Sequence, residues 1–244
     1  MVNVSDLIED KGVLEVVIRD IQSMSHEEYA LARKDFFGAS DSSILCGVNL
    51  YKNLDQLLEE KNKKFITEEE IEVGNKPVVR KGYDLEPIIL AKAEKELDLQ
   101  IHKPQDMFKF KYIDGLSVNY DGVAEVENDG LIPVEAKLVS EYGEKYYNKQ
   151  MKIKEAKELD MDIEGATLEA HIKRKALQLG IPPYYYTQVQ QEIAGLDAKY
   201  GYLAALFDKT WDFKVYYIPR DPYVIRNIYE SASVNILKVK RDTK

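Results

Sequence analysis

Two acidic residues and a lysine in the middle of the chain could act together at one site. Asp121 lies in one candidate strand, and the tripeptide Glu135-Ala136-Lys137 lies in the next. Because side chains alternate along a strand, Glu135 and Lys137 share one face and Ala136 lies on the other. Carboxylates facing each other at ~5 Å repel unless a cation lies between them. These residues are therefore candidates for a divalent-metal site beside an ammonium group.

The turn between the two strands decides whether the carboxylates meet. Residues 127–130 have the sequence Glu-Asn-Asp-Gly, which is typical of a hairpin. A three-residue loop followed by a bulged glycine would place Asp121 opposite Glu135. A two-residue turn would place it opposite Ala136, on the wrong face, unless Pro133 forced a bulge. The sequence leaves both registers open.

The chemistry expected of such a site is phosphodiester hydrolysis. Hard oxygen ligands in a partly hydrated site favour Mg²⁺ or Mn²⁺, and two ions can hold the attacking and leaving oxygens. Glu86, expected in the first turn of a helix, could supply a third carboxylate, and the Ala136 carbonyl a neutral ligand. Lys137 could orient water or stabilise charge on the phosphate. Taken alone, this spacing recurs by chance, and a turn beside an exposed strand is the simpler interpretation.

Hydrophobic periodicity and turn signals predict an α/β (α+β) domain with a mixed central sheet flanked by helices. The expected helices run from Ser25 to about Arg33, through Ile44 and Leu45, from Asp84 to about Leu97, from Pro182 or Pro183 to about Leu196, and onward from Asp221. The expected strands cover 107–113, 118–126, 131–139, 200–207 and 211–218. A charged stretch at 59–72 is predicted to be a solvated connection. One domain is expected over 1–244, with a helical insertion at about 141–180.

Composition excludes some functions and leaves the enzyme class open. The net charge of -9 argues against a protein that coats DNA indiscriminately. The single cysteine, Cys46, permits neither an internal disulfide nor a four-cysteine iron–sulfur cluster. No apolar run approaches the ~20 residues that span a bilayer, and the first ten residues lack the basic start of a secretory signal. We therefore expect a cytoplasmic protein.

Five short motifs occur in an order that resembles a known nuclease family. They are R-K-D-F-F-G-A-S-D from Arg33, G-Y-D-L-E-P from Gly82, D-G-V from Asp121, E-A-K from Glu135, and P-x-x-Y-x-x-Q-x-Q from Pro182. No single motif is specific, but the ordered set is similar to that of the lambda exonuclease and YqaJ-like viral recombinase family. The resemblance implies a PD-(D/E)xK fold with a restriction-endonuclease-like core.

The same resemblance implies an activity and a role for each motif. It implies a nuclease with two Mg²⁺ ions, or Mn²⁺ in their place, that digests linear double-stranded DNA from the 5′ end to expose single strands for phage-type recombination. The implied metal-site groups are Asp121, Glu135, Glu86 and the Ala136 carbonyl; the implied catalytic residues are these carboxylates with Lys137 and Gln188; and the implied 5′-phosphate ligands are Arg33 and Ser40.

Partners and alternatives also follow from the resemblance. The family implies a homo-oligomer, a trimer around DNA, and a single-strand annealing protein as partner in a bacterial host cell. A sequence-specific endonuclease of the same fold is one alternative, and a non-catalytic module that binds DNA ends is another. The complete set of carboxylates argues against the second. The basic stretches 149–157 and 171–175 of the expected insertion fit either a solvated helical segment, the simpler interpretation, or a segment that grips DNA or tunes subunit contacts.

Overall fold

The computed structural model describes residues 3–147 and 167–241 of the chain. The α-helices in these ranges are α1 (Val4–Asp10), α2 (His26–Ala32), α3 (Ser42–Leu45), α4 (Leu54–Asn62), α5 (Glu68–Gly74), α6 (Pro77–Leu97), α7 (Glu141–Glu144), α8 (Leu168–Leu179), α9 (Pro183–Gly195) and α10 (Pro222–Arg241). The strands are β1 (Leu14–Ile18), β2 (Ile101–His102), β3 (Met107–Phe110), β4 (Ser117–Val118), β5 (Gly122–Val126), β6 (Gly130–Val139), β7 (Tyr200–Phe207) and β8 (Phe213–Pro219). No helix in the described part of the chain is long and apolar enough to cross a membrane.

A five-stranded mixed sheet forms the centre of the fold, as the sequence predicts. Its strand order is β2-β5-β6-β7-β8, with β6 and β7 parallel and the other pairs antiparallel. A second sheet, β1-β3-β4, is antiparallel and includes the N-terminal strand β1, which pairs with β3. The expected α/β class is therefore confirmed.

The hairpin between β5 and β6 adopts the register that brings the two acidic residues together. Gly122 pairs with Val134, and Val126 pairs with Gly130, which leaves a three-residue loop between the strands. Gly130 has a φ of 80°, the left-handed conformation that glycine adopts without steric cost. Continuing this register by one residue sets Asp121 opposite Glu135, as the first of the two expected alignments requires.

Helix α6 covers one face of the sheet and begins earlier than the sequence predicts. Ile89, Leu90 and Ala93 are buried on this face, against alanine, valine and leucine side chains of β5, β6 and β7. The predicted start at Asp84 is wrong: Pro77 opens the helix, and Pro87 lies inside it. An internal proline costs ~3 kcal/mol in an isolated helix, and burial of the apolar face against the sheet offsets that cost.

Helix α9 covers the opposite face and lies in the larger of the two apolar cores. Val189 and Ile193 are fully buried there, with Leu203 and Ala205 of β7 on the same side. The paired strand β6 alternates accordingly, because Val134 and Ala136 belong to the core under α6. Glu135 and Lys137 are thereby directed to the α9 side.

Several other elements differ from the sequence prediction. The stretch 59–72 includes the end of α4 and most of α5, so it is not a simple connection. The predicted strand 118–126 is interrupted between β4 and β5, and α1 and β1 were not predicted. The expected insertion is helical at its two described ends, α7 and α8, while the basic stretch 149–157 lies outside the described residues.

Candidate active site

Asp121 and Glu135 lie at adjoining strand positions, with Lys137 beside them. The Ala136 amide donates a hydrogen bond of 3.0 Å to Asp121 Oδ2. Glu135 is only 2 % exposed, and its Oε1 forms an ion pair with Lys137 Nζ. The same ammonium group lies 5.5 Å from the centre of the Tyr185 ring, a favourable cation–π position. The D-G and E-x-K motifs therefore form one cluster.

Close packing around residue 122 explains why a glycine follows Asp121. A Cβ at this position would lie 2.5 Å from Ile101 Cγ2 and 3.0 Å from Leu90 Cδ2. Strand β2 and helix α6 thus approach the backbone of β5 more closely than any side chain would permit. This contact brings α6, which carries Glu86, against the strand that follows Asp121.

Glu86 lies in the middle of α6 and not in its first turn, yet it is within electrostatic reach of the cluster. Its Oε1 accepts a hydrogen bond of 2.5 Å from Lys103 Nζ. Burial and repulsion by Asp121 raise the pKa of Glu86, although the charges of Lys103 and Lys137 oppose the shift. The carboxylate from the helix therefore interacts with groups from both strands.

The pKa values of both Glu135 and Lys137 are raised, for different reasons. Burial and the negative charge of Asp121 raise the pKa of Glu135 to about 7, against the opposing charge of Lys137. Burial would lower the pKa of Lys137, but Glu135 and Asp121 outweigh it, and the net shift is upward. Lys137 is therefore held in its cationic form beside two carboxyl groups.

Helix α9 contributes two further polar side chains, one of which the sequence analysis missed. Gln188 Nε2 donates to Glu135 Oε1, and it lies 3.3 Å from Glu192 Oε1. Glu192 is 1 % exposed, and repulsion by Glu135 adds to burial in raising its pKa well above the usual range. The available signal was the spacing: residues four apart on a helix lie on one face, so Glu192 follows Gln188 toward the site.

Arg33 and Ser40 meet at a turn that a buried ion pair holds in place. Arg33 Nη2 lies 3.3 Å from Ser40 Oγ, within hydrogen-bond distance. Asp41 Oδ2 accepts from the Gly38 amide at 3.0 Å and pairs with Lys61 Nζ at 2.9 Å. Burial alone would raise the pKa of Asp41, but Lys61, Arg33 and the Gly38 amide outweigh it and lower the pKa. The turn is thereby fixed with a guanidinium and a hydroxyl side by side.

This turn borders a small cavity that is charged on most sides. The cavity has a volume of about 280 Å³. Its lining includes the cationic residues Arg33, Lys34, Lys52 and Lys61, the acidic residues Asp41, Glu60 and Glu70, and Ser40. A guanidinium and a serine hydroxyl are suitable donors for a phosphate group.

Tyr29 and Asn119 connect the turn to the acidic cluster. The Asn119 side-chain amide donates to the Tyr29 hydroxyl, and Asn119 precedes Asp121 by two residues. The Arg33 guanidinium lies 5.6 Å from the centre of the Tyr29 ring. Burial raises the pKa of Tyr29, with Arg33 opposing and Asp121 adding to the shift. The charges of the turn and of the strand cluster thus act on the same side chain.

The acidic cluster has the carboxylate oxygens that a divalent-metal site needs as ligands. In the structure, these oxygens contact cationic and amide groups. No three acidic, histidine or cysteine side chains in the described part of the chain are arranged as a metal cage. Glu86 contacts Lys103, and Glu135 contacts Lys137 and Gln188. Mutual repulsion among these carboxyl groups is nonetheless what a bound cation would relieve. Glu86, Asp121 and Glu135 would fit such an ion if the Glu86 and Glu135 carboxylates left their lysine partners.

The fold and the site together define a class of protein. It is an α/β domain that has acidic residues on two neighbouring strands, a lysine in an E-x-K motif, and a helix with a Y-x-x-Q motif packed against them. The chain belongs to the YqaJ-like viral recombinase family, whose domain profile matches residues 28–197. That span includes every residue discussed above for the site. No curated protein matches the chain in sequence.

Solved structures share the fold. An alkaline exonuclease from Laribacter hongkongensis superimposes with a TM-score of 0.57 at 17 % identity, covering 88 % of this chain and 92 % of that one. The same exonuclease in complex with dAMP gives a TM-score of 0.55 at 17 % identity, with 88 % and 92 % covered. The expected nuclease fold and the expected family are both confirmed.

Proposed function

We propose that this chain is a metal-dependent exonuclease that digests linear double-stranded DNA from the 5′ end and exposes single strands for phage-type recombination. The observation that carries the proposal is the convergence of Asp121, Glu135 and Lys137 where the start of β5 meets β6. Membership of a viral recombinase family and a fold similar to that of an alkaline exonuclease support it.

The acidic groups would hold the metal. Glu86, Asp121, Glu135 and the Ala136 carbonyl are the proposed ligands for two Mg²⁺ ions, for which Mn²⁺ could substitute. When bound, such ions stabilise negative charge on the scissile phosphate. Lys137, held as a cation by its neighbours, would orient the attacking water and add positive charge at the phosphate. Gln188 would keep Glu135 in position.

The turn at Arg33 and Ser40 would bind the terminal phosphate of the 5′ strand. A guanidinium presents paired donors to a phosphate, and the adjoining hydroxyl adds a third. Binding the end there would set which bond reaches Asp121 and Glu135, because Tyr29 and Asn119 connect the two regions. This arrangement is the basis for proposing attack from the 5′ end.

The remaining parts of the proposal rest on the family. We propose that the chain assembles as a homotrimer, acts with a single-strand annealing protein, and works in the cytoplasm of a bacterial host. We also propose that residues 1–244 form one nuclease domain with a helical insertion at about 141–180.

A comparison of DNA topologies tests the activity. Purified protein is incubated with Mg²⁺ and either linear duplex or covalently closed circular duplex of the same sequence. We expect the linear DNA to be degraded progressively and the closed circle to survive. Discrete fragments from the circle would support a sequence-specific endonuclease, and binding to ends without digestion would support a non-catalytic module.

A matched pair of variants connects the activity to the site. Glu135→Ala removes a proposed ligand, whereas Glu125→Ala removes an exposed glutamate from the neighbouring strand β5. We expect digestion to be abolished in the first variant and unchanged in the second. Equal digestion by Glu135→Ala and wild type would remove Glu135 from the mechanism.

A further inference from the structure

We propose that Glu192 is a positioning residue that holds Glu135 in place through the amide of Gln188. The inference rests on the proposed function, because it assigns Glu135 to the active site. It adds a fourth acidic residue, from helix α9, to a site that the motifs describe with three. Its role is to fix the orientation of a neighbouring amide.

The geometry places one amide nitrogen against two carboxyl groups, which also contact each other. Gln188 Nε2 contacts Glu135 Oε1 and lies 3.3 Å from Glu192 Oε1. A glutamine amide carries two N–H donors, so each carboxylate can accept one. With both hydrogens engaged, the nitrogen faces Glu135, and the amide cannot turn its carbonyl oxygen toward that carboxylate without losing both bonds.

The backbone around Glu192 is fixed relative to the strand that carries Asp121. The Tyr120 hydroxyl donates to the Glu192 carbonyl at 3.3 Å, and Tyr120 directly precedes Asp121. Gly195 makes room for this contact, since a Cβ there would lie 2.4 Å from the Tyr120 hydroxyl. The turn of α9 that carries Glu192 is therefore anchored to the active-site strand.

Packing alone does not explain a glutamate at this position. Glu192 is 1 % exposed, and its helix neighbours Val189 and Ile193 fill the adjoining core with apolar atoms. Burying a carboxyl group costs free energy that an apolar side chain of similar size would avoid. A role at the acidic cluster gives a reason for the cost.

Two substitutions separate the hydrogen-bonding role from a structural one. Glu192→Met keeps the length of the side chain but removes the acceptor oxygen, whereas Glu192→Gln keeps an oxygen that can accept from Gln188. For Glu192→Met we expect a loss of at least about tenfold in kcat, with the KM for duplex DNA within about twofold, by comparison with the cost of outer-shell changes at metal sites. Glu192→Gln should recover most of that loss. As a control, Glu169→Met makes the same change at an exposed site on α8 and should match wild type.

A binding measurement gives a readout independent of digestion. Calorimetric titration with Mg²⁺ alone should show weaker binding by Glu192→Met, by about tenfold, and near wild-type binding by Glu192→Gln. Equal Mg²⁺ affinity and equal kcat for Glu192→Met and wild type would overturn the inference. Loss in Glu192→Gln as large as in Glu192→Met would also overturn it, because it would make the carboxyl group itself, and not an acceptor for Gln188, the functional feature.

A double-mutant cycle tests whether Glu192 acts through Gln188. In the Gln188→Met background, Glu192→Met should add a smaller loss than it causes alone, because the connecting amide is absent and only the direct contact between the Glu135 and Glu192 carboxyl groups remains. Multiplicative losses in the double variant would contradict the inference. If wild type binds Mg²⁺ but digests no DNA, the proposed function fails while the calorimetric comparison still tests the role of Glu192.

Discussion

The Ala136 amide donates to Asp121 Oδ2 across the boundary between β5 and β6, at 3.0 Å. The bond fixes the aspartate beside the E-x-K strand at the point where the backbone of β5 begins. The Ala136 amide does not bind the other carboxylate oxygen of Asp121. An acceptor at residue 121 therefore serves the fold, and the negative charge would serve the proposed chemistry.

These two roles can be separated at residue 121. In Asp121→Asn, the amide oxygen still accepts from Ala136, so we expect thermal unfolding within a few degrees of wild type. Loss of the charge should reduce Mg²⁺-dependent digestion of linear duplex by at least about 100-fold, the scale of removing one electrostatic contact at a reacting centre. Glu125→Gln, an isosteric change on the same strand, is the control. Digestion within threefold of wild type would contradict the assignment of Asp121.

The close approach at Gly122 predicts a substitution that acts through packing. In Gly122→Ala the new methyl group would lie 2.5 Å from Ile101 Cγ2, so β2 and α6 must shift. We expect the free energy of unfolding to fall by about 1–3 kcal/mol, measured in urea, and digestion to fall because Glu86 moves with α6. Gly82→Ala is a matched control on the same helix, where a Cβ meets nothing within 4 Å. Its stability should equal or exceed that of wild type, and an equal loss in both variants would rule out the steric explanation.

The Arg33 turn predicts a preference for one kind of DNA end. Duplex with a 5′-phosphate should be digested faster than duplex with a 5′-hydroxyl, and Arg33→Ala should remove the difference. Hydrogen bonds to charged groups contribute about 1.5–3 kcal/mol, so the wild-type preference should be about 10- to 100-fold. Arg226→Ala, which removes an exposed arginine from α10, should keep it. Initial rates on the two substrates measure the effect, and equal wild-type rates would count against a phosphate pocket.

The raised pKa of Glu135 predicts how the metal-free protein responds to pH. Burial and Asp121 raise the pKa of this carboxyl group from 4.5 to about 7. A carboxyl group with a raised folded pKa contributes stability below its unfolded pKa, and that contribution is lost as pH rises through the folded value. In the presence of a chelator, the advantage of Glu135→Gln over wild type should therefore grow between pH 5 and pH 8.

Urea unfolding of both proteins across this pH range measures the difference. Added Mg²⁺ should stabilise wild type more at pH 8 than at pH 5.5, because the ion needs the charged carboxylate. An advantage of Glu135→Gln that stays constant with pH would show that the carboxyl group does not titrate in this range.

Local features of the fold could be predicted from sequence because they depend on residues within a turn of each other. The helix predicted from Ser25 does begin there, because Ser25 and Glu28 form a capping box at the start of α2. Asp221 caps the last helix, accepting from the amides of Tyr223 and Val224. The alternating faces of β6 follow in the same way, since the strand period is fixed by the backbone.

Tertiary structure decided the features that depend on distant partners. The sequence allowed two registers for Asp121, and pairing of the whole hairpin selected the one opposite Glu135. The start of α6 was mispredicted because contacts with the sheet, which no local pattern reveals, carry the helix through Pro87. In the sequence, Glu192 cannot be told from any other glutamate on a helix; in the fold it is buried against Gln188 and Glu135. Propensity acts over a few residues, whereas burial and strand pairing join segments far apart in the chain.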